Sequence, residues 1–225
     1  MADRSEVSDE RLLQVLTTEH STLQAARAAA ASEANARVMI FISTLSASMV
    51  ALAFVGQATE FGTPFYTLAL AILPATLVIG FASYMRALQI QLADAYFAIA
   101  INRIREHYKT LHPDAESLMV LPTATGLQAI RTEAALEKRV PRLQALFMIS
   151  GMVAFVEALV AGAFVALLIN RLIEDAGVWA LAFGSLTALG VVGALFVHIR
   201  TYVWGALAKL GVSPPWKKDS PTSNH

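Results

Sequence analysis

The sequence has no cysteine, which excludes disulfides, thiolate metal sites and cysteine nucleophiles. It has no net charge, with seventeen basic residues against seventeen acidic ones, so no global attraction draws it to nucleic acid or acidic lipid. Charged residues make up only 15% of the chain, and they are missing from long stretches altogether. Neither glycine nor proline occurs before Gly56. The five histidines (His20, His107, His112, His198 and His225) show no metal-ligand spacing. There is no Gly-rich phosphate loop, nucleophile elbow or pair of catalytic carboxylates. These absences lead us to expect no enzyme, no metal and no cofactor. The first ten residues are acidic and polar, without a basic region leading into an apolar one, so no cleavable signal peptide is expected.

What the sequence has instead is apolar side chains, at 56% against the roughly 45–50% of soluble domains. Four stretches are long enough to cross a hydrocarbon core, which takes about 20 residues. The first, Val38 to Gly56, carries no charge, and neither does the stretch between Glu60 and Arg86. Leu143 to Asn170 is interrupted only by Glu157, and the fourth stretch lies between Asp175 and His198. Sixteen of the seventeen basic residues precede the first stretch, lie between the second and third, or follow the fourth; Arg171 alone is on the other side. The positive-inside rule then puts both termini and the middle segment in the cytoplasm. Phe61, Phe65, Tyr66 and Trp179 fall at the outer interface, and Tyr202 and Trp204 at the inner one, as an aromatic belt.

The sequence therefore predicts an all-α polytopic membrane protein of the inner membrane, with four transmembrane helices and cytoplasmic helical extensions of the first two. Ser8 reads as an N-cap with Asp9 and Glu10 in the first turn. From there an unbroken helix of about 48 residues, or about 70 Å, reaches Gly56. Residues 1–112 form a long hairpin with spans at about 38–57 and 64–85. Residues 113–142 connect, with a short helix over Thr125–Val140. Residues 143–210 form a second hairpin with spans at about 145–170 and 177–199, and 211–225 a disordered tail.

Leu12, Leu16, Leu23, Ala26 and Ala30 share one stripe of the first helix. The second helix carries two opposed stripes past Arg86: Leu88, Leu92, Ala95 and Ile99, then Phe97, Ile101, Ile104, Tyr108 and Leu111. Two stripes require contacts on two sides, from the Thr125–Val140 helix or from another subunit. In the third span Ser150, Ala154, Ala158, Gly162 and Ala166 recur every four residues, and Ala180, Gly184 and Ala188 do so in the fourth. Small residues at this spacing let helices approach closely in lipid, within one protomer or between two.

Glu157 is the residue most suggestive of chemistry. An ionised carboxylate at the centre of a span costs at least about 2.5 kcal/mol. Two readings stand: an ion or proton site lining a pore, with Ser43, Ser46, Ser48, Ser185 and Thr187 at similar depth, or a protonated acid bonded to a serine or a carbonyl that holds helices together. The cytoplasmic cluster Asn102, Arg103, Arg105, Glu106, His107 and Tyr108 reads either as a solvated face with i,i+3 and i,i+4 pairing or as a site for a nucleotide or lipid headgroup.

Leu23 to Gln57, with Glu33-Ala-Asn-Ala-Arg37 running into Ala51-Leu-Ala-Phe-Val-Gly-Gln57, and the later Ala100-Ile-Asn-Arg-Ile-Arg105, resemble a family of uncharacterised actinobacterial four-span integral membrane proteins. The resemblance extends to about Gly162 and implies no activity. The first hairpin also resembles the two-span effector modules of bacterial conflict systems, which implies pore formation. Together these readings predict a homo-oligomeric inner-membrane protein, an ion-conducting pore or membrane effector with a cytoplasmic helical assembly or sensing region. The alternative is a non-catalytic scaffold whose cytoplasmic helices bind a protein partner. A secondary transporter ranks third, because four spans without inverted repeats would need a dimer.

Overall fold

The computed structural model describes residues 2–111, 149–173 and 175–209, with single positions 114, 117 and 119 between them, and the backbone alone for 2–9 and 111. The expected Thr125–Val140 helix, the 211–225 tail and the first residues of the third span lie outside the described residues.

Among the described residues the chain is helical and contains no strand. Four helices, each long and apolar enough to cross a membrane, follow in order: α1 (Ala2–Ala58), α2 (Thr63–Leu111), α3 (Ile149–Leu172) and α4 (Gly177–Ala208). α1 begins before Ser8, which is therefore an interior residue and not a cap. Nothing from Ala2 onward breaks a helix, so the N-terminal residues simply extend it. In α2 Pro74 lies inside the helix without ending it. Proline removes one backbone donor there. Nearby, the Thr76 hydroxyl donates to the Ile72 carbonyl at 3.0 Å.

The turn between α1 and α2 is tight. The Phe61 amide donates back to the Gly56 carbonyl at 2.9 Å, and the Gly62 amide to that of Thr59 at 2.8 Å. Glu60 and Phe61 both adopt the left-handed conformation, with φ of 49° and 56°, which costs a non-glycine residue roughly 1–2 kcal/mol. Part of this is offset where the Phe61 ring covers Gly56: a Cβ at position 56 would stand 2.7 Å from Phe61 Cε1.

The chain divides into two compact units. Among the described residues the first comprises 2–31, 91–111 and 201–209, and the second comprises 32–90, 149–173 and 175–200. In the first unit Leu92, Ile99 and Leu207 form the core, with Ala95, Tyr202, Val203, Trp204 and Ala206 packed on it. The end of α4 thus covers one stripe of α2. The sequence pattern points instead to the Thr125–Val140 helix or another subunit for that cover. Tyr202 and Trp204, expected as belt residues, pack on this core. On α2 itself Ile101 and Ile104 of the opposed stripe are also buried. In the same unit the Arg27 guanidinium forms a two-armed ion pair with Asp94, Nε on one oxygen and Nη2 on the other at 3.2 Å.

The second unit is built on Ala69, Leu73 and Val160, with Leu45, Leu52, Leu77, Phe164 and Leu167 around them. α3 and α4 touch backbone to backbone at their glycines. A Cβ at 162 would lie 2.6 Å from the Gly184 carbonyl oxygen, and one at 184 would lie 2.7 Å from that of Gly162. Met39, Met49, Phe54, Val78, Leu181 and Leu189 are exposed, and only 11% of the most apolar stretch of α4 is buried. Water would penalise that surface at about 25 cal/mol per Å².

Candidate functional site

Glu157 sits in the first half of α3, and its position on the helix decides what it meets. Ser150, Val153, Ala154, Ala158 and Gly162 mark the buried face of α3, and Glu157 lies within that face at 5% exposure. The small residues at 150, 154, 158 and 162 allow close approach, and the carboxyl group is carried against α2. It lands where α2 has no side chain. A Cβ at Gly80 would overlap Glu157 Oε2, stand 2.7 Å from its Cδ and stand 2.6 Å from Phe41 Cε2. Phe41 of α1 is fully buried and closes the other side. The result is a three-helix niche with bare α2 backbone as its floor and an aromatic ring as its wall.

Inside the niche Glu157 Oε2 is buried and has no hydrogen-bond partner among the described residues. Buried polar oxygens are nearly always paired, so an orphan demands a chemical reason. The hydroxyl residues expected from the sequence do not supply its partner. Ser43, Ser46 and Ser185 are exposed, and the half-buried Thr187 donates to the Phe183 carbonyl of its own helix at 2.8 Å. Ser48, the remaining expected hydroxyl, is buried but meets Thr76 across the α1–α2 contact at 3.2 Å.

One turn beyond Gly80 on α2, Tyr84 is fully buried. Its hydroxyl lies 2.9 Å from His198 Nδ1 and 3.2 Å from the Leu195 carbonyl oxygen, both on α4. Ser83 beside it donates to the Ile79 carbonyl at 2.8 Å. Near the same end of this unit Arg86 grips Glu33 with Nε and Nη2 at 2.8 and 2.7 Å. Arg37 stands 4.0 Å from the same carboxylate. The Arg86 hydrogen bonds, with the positive charges of Arg86 and Arg37 behind them, hold the Glu33 carboxyl below the usual carboxylate range. Sequence pattern alone singles out neither Tyr84–His198 nor Gly80. The tyrosine and histidine lie far apart along the chain, whereas a glycine opposite a lone acid in an apolar run is a signal of close approach that could have been used.

No known family model, curated protein or solved structure matches this chain.

The cluster on α2 in the first unit is divided by its helix. Asn102 is buried, and its amide donates to the Ala98 carbonyl at 3.0 Å, while Arg103 and Glu106 face outward. Arg105 is half-buried, and Glu106 pairs with Lys109 at 3.9 Å. Tyr108 stacks on His20 of α1 with ring centroids 5.9 Å apart. These two rings, with Leu13, Thr17, Ser21 and Gln24, line a shallow groove of about 440 Å³.

Proposed function

We propose that this chain is a homo-oligomeric, multi-pass inner-membrane protein that moves protons across the bilayer, with Glu157 as the proton-bearing group. The observation that carries this reading is the orphaned carboxylate oxygen in the Gly80–Phe41 niche. A hydrogen bond that merely tied helices together would have a partner, and Oε2 has none among the described residues. A metal cation would need several oxygen ligands, whereas a proton needs one. The mostly exposed apolar faces of the four helices support insertion in lipid. The sixteen-to-one distribution of basic residues supports cytoplasmic termini. In this topology the first unit is a cytoplasmic assembly region. Leu12, Leu13 and Val15 of α1 are 45%, 42% and 64% exposed there, and apolar surface facing water supports contact between copies.

The test is proton flux into liposomes of phosphatidylcholine and phosphatidylglycerol, driven by a valinomycin potassium potential and read with a trapped pH dye. Flux with the native protein, lost in Glu157→Gln while the oligomer seen by light scattering is kept, is the expected result. Flux no greater than that of empty liposomes sinks the reading. The same exposed leucines favour a second reading, a scaffold that binds a protein partner through its cytoplasmic helices. That reading would stand if flux were absent and the purified protein monomeric.

A further inference from the structure

We propose that Phe41 is the specificity-determining residue of the Glu157 site and confines it to protons, excluding sodium and lithium ions, an inference that rests on Glu157 being a proton site. A proton and an alkali cation ask different things of one carboxylate. The proton bonds covalently to a single oxygen and leaves a neutral acid. Sodium and lithium are hard cations that stay charged when bound, so they require several oxygen ligands around them. A charge buried without such partners is costly enough to exclude the ion.

The niche meets Glu157 Oε2 with carbon. That oxygen is buried against Gly80 and has no hydrogen-bond partner among the described residues. The Cβ position of Gly80 stands 2.7 Å from Glu157 Cδ and 2.6 Å from Phe41 Cε2. Carboxyl and ring thus flank one point, which is too crowded for a water oxygen and more so for a cation with its ligands. Phe41 is fully buried, so its ring fills enclosed space on the α1 side of the carboxyl, where further oxygen ligands would have to stand. The buried hydroxyls of α2 on either side of Gly80 are committed to their own helix. Thr76 donates to the Ile72 carbonyl at 3.0 Å, and Ser83 donates to the Ile79 carbonyl at 2.8 Å. On α1, Ser48 donates to the Thr44 carbonyl at 2.7 Å. A serine or asparagine at position 41 would remove the ring, add an oxygen and open a cavity polar enough to hold water. The carboxylate, the new side chain and that water would then together offer a cation the ligands it lacks.

The experiment uses the full chain in the same liposomes, with proton flux read by the trapped dye and sodium entry by a radioactive tracer. Its first measurement needs no variant. Native proton flux is expected to stay the same when sodium or lithium chloride replaces choline chloride outside, and tracer entry to equal that of empty liposomes. Competition by either cation, or native tracer entry that is lost in Glu157→Gln, overturns the selectivity and leaves Glu157 as an ion site. Phe41→Ser and the bulkier Phe41→Asn are then expected to admit sodium at about tenfold or more above native, and to lose that entry when combined with Glu157→Gln. Phe41→Leu, which keeps a wall of carbon, should gain none. Native-like exclusion of sodium in either polar variant, with native helix content by circular dichroism, overturns the role of the ring, as does equal sodium entry in Phe41→Leu. If the native protein and Glu157→Gln conduct protons alike, the Glu157 reading falls and this inference with it.

Discussion

Replacing Gly80 by alanine adds one carbon where Glu157 Oε2 and the edge of Phe41 already lie. Overpacking of this kind costs about 1–3 kcal/mol, and the same carbon should be far less harmful once the carboxyl is gone. A double-mutant cycle of Gly80→Ala with Glu157→Ala, read by unfolding in mixed dodecylmaltoside and dodecylsulfate micelles, should therefore give a coupling of about 0.5–3 kcal/mol. Additive effects would mean that the two residues do not meet. A second residue-scale expectation concerns acid. The Arg86 hydrogen bonds lower the Glu33 pKa in the folded chain. Its contribution to stability is therefore fully present above the ordinary value of 4.5 and is lost as pH falls through the depressed one. Glu33→Gln should flatten the stability profile below that pH. The difference should also shrink in high salt, because the carboxylate is exposed. Of these residues only Glu157 can be singled out from sequence, because a carboxylate amid apolar residues is conspicuous without any knowledge of its neighbours. Its expected partners are hydroxyls chosen by depth, and depth does not determine which face of a helix a residue occupies.

Among the elements, the α3–α4 contact rests on two glycines whose absent Cβ atoms would strike rigid backbone carbonyls. Gly162→Ala is expected to destabilise by about 1–3 kcal/mol. Gly190 and Gly193, elsewhere on α4, leave open space where a methyl group would stand, with nothing within 4 Å. Alanine there should be neutral or stabilising, by up to about 1 kcal/mol through helix propensity alone. Equal losses at 162 and 190 in the same unfolding assay would refute the contact. The helices themselves are legible in the sequence, since uncharged runs of sufficient length admit few alternatives. The end of α4 is not. The apolar run that marks a span stops at its first charges, His198 and Arg200, and carries no sign that Tyr202, Val203, Trp204, Ala206 and Leu207 continue as a helix. It is their burial on Leu92 and Ile99 that satisfies a stripe of α2. A stripe shows that a neighbour exists but does not identify it.

At the scale of the whole molecule, the exposed Leu12, Leu13 and Val15 carry the expectation of assembly. Val15→Glu should lower the mass of the proposed oligomer, measured by light scattering on the purified protein, without loss of helix content. An unchanged mass would remove these residues from any subunit contact. The absence of native cysteine makes the proposed topology directly accessible to labelling. Thr59→Cys should react with an impermeant maleimide from the periplasmic side, and Asp114→Cys only after the membrane is opened. The reverse pattern would invert the orientation. Composition and charge distribution carry the fold class this far, whereas stoichiometry depends on surfaces that no periodicity describes.

Two ion pairs that join α1 to α2 have opposite polarity. α1 offers a cation at Arg27 and an anion at Glu33, and α2 answers with Asp94 and Arg86. Suppose one helix slid along the other by about a heptad, the shift that best preserves an apolar stripe. One direction would bring Arg27 toward Arg86, and the other would bring Glu33 toward Asp94. Both errors are repelled, so the charges act as a checksum on alignment. The checksum does not record which chain supplies the answering residues. Two copies that exchanged hairpin arms would pass it as well as one copy folded on itself.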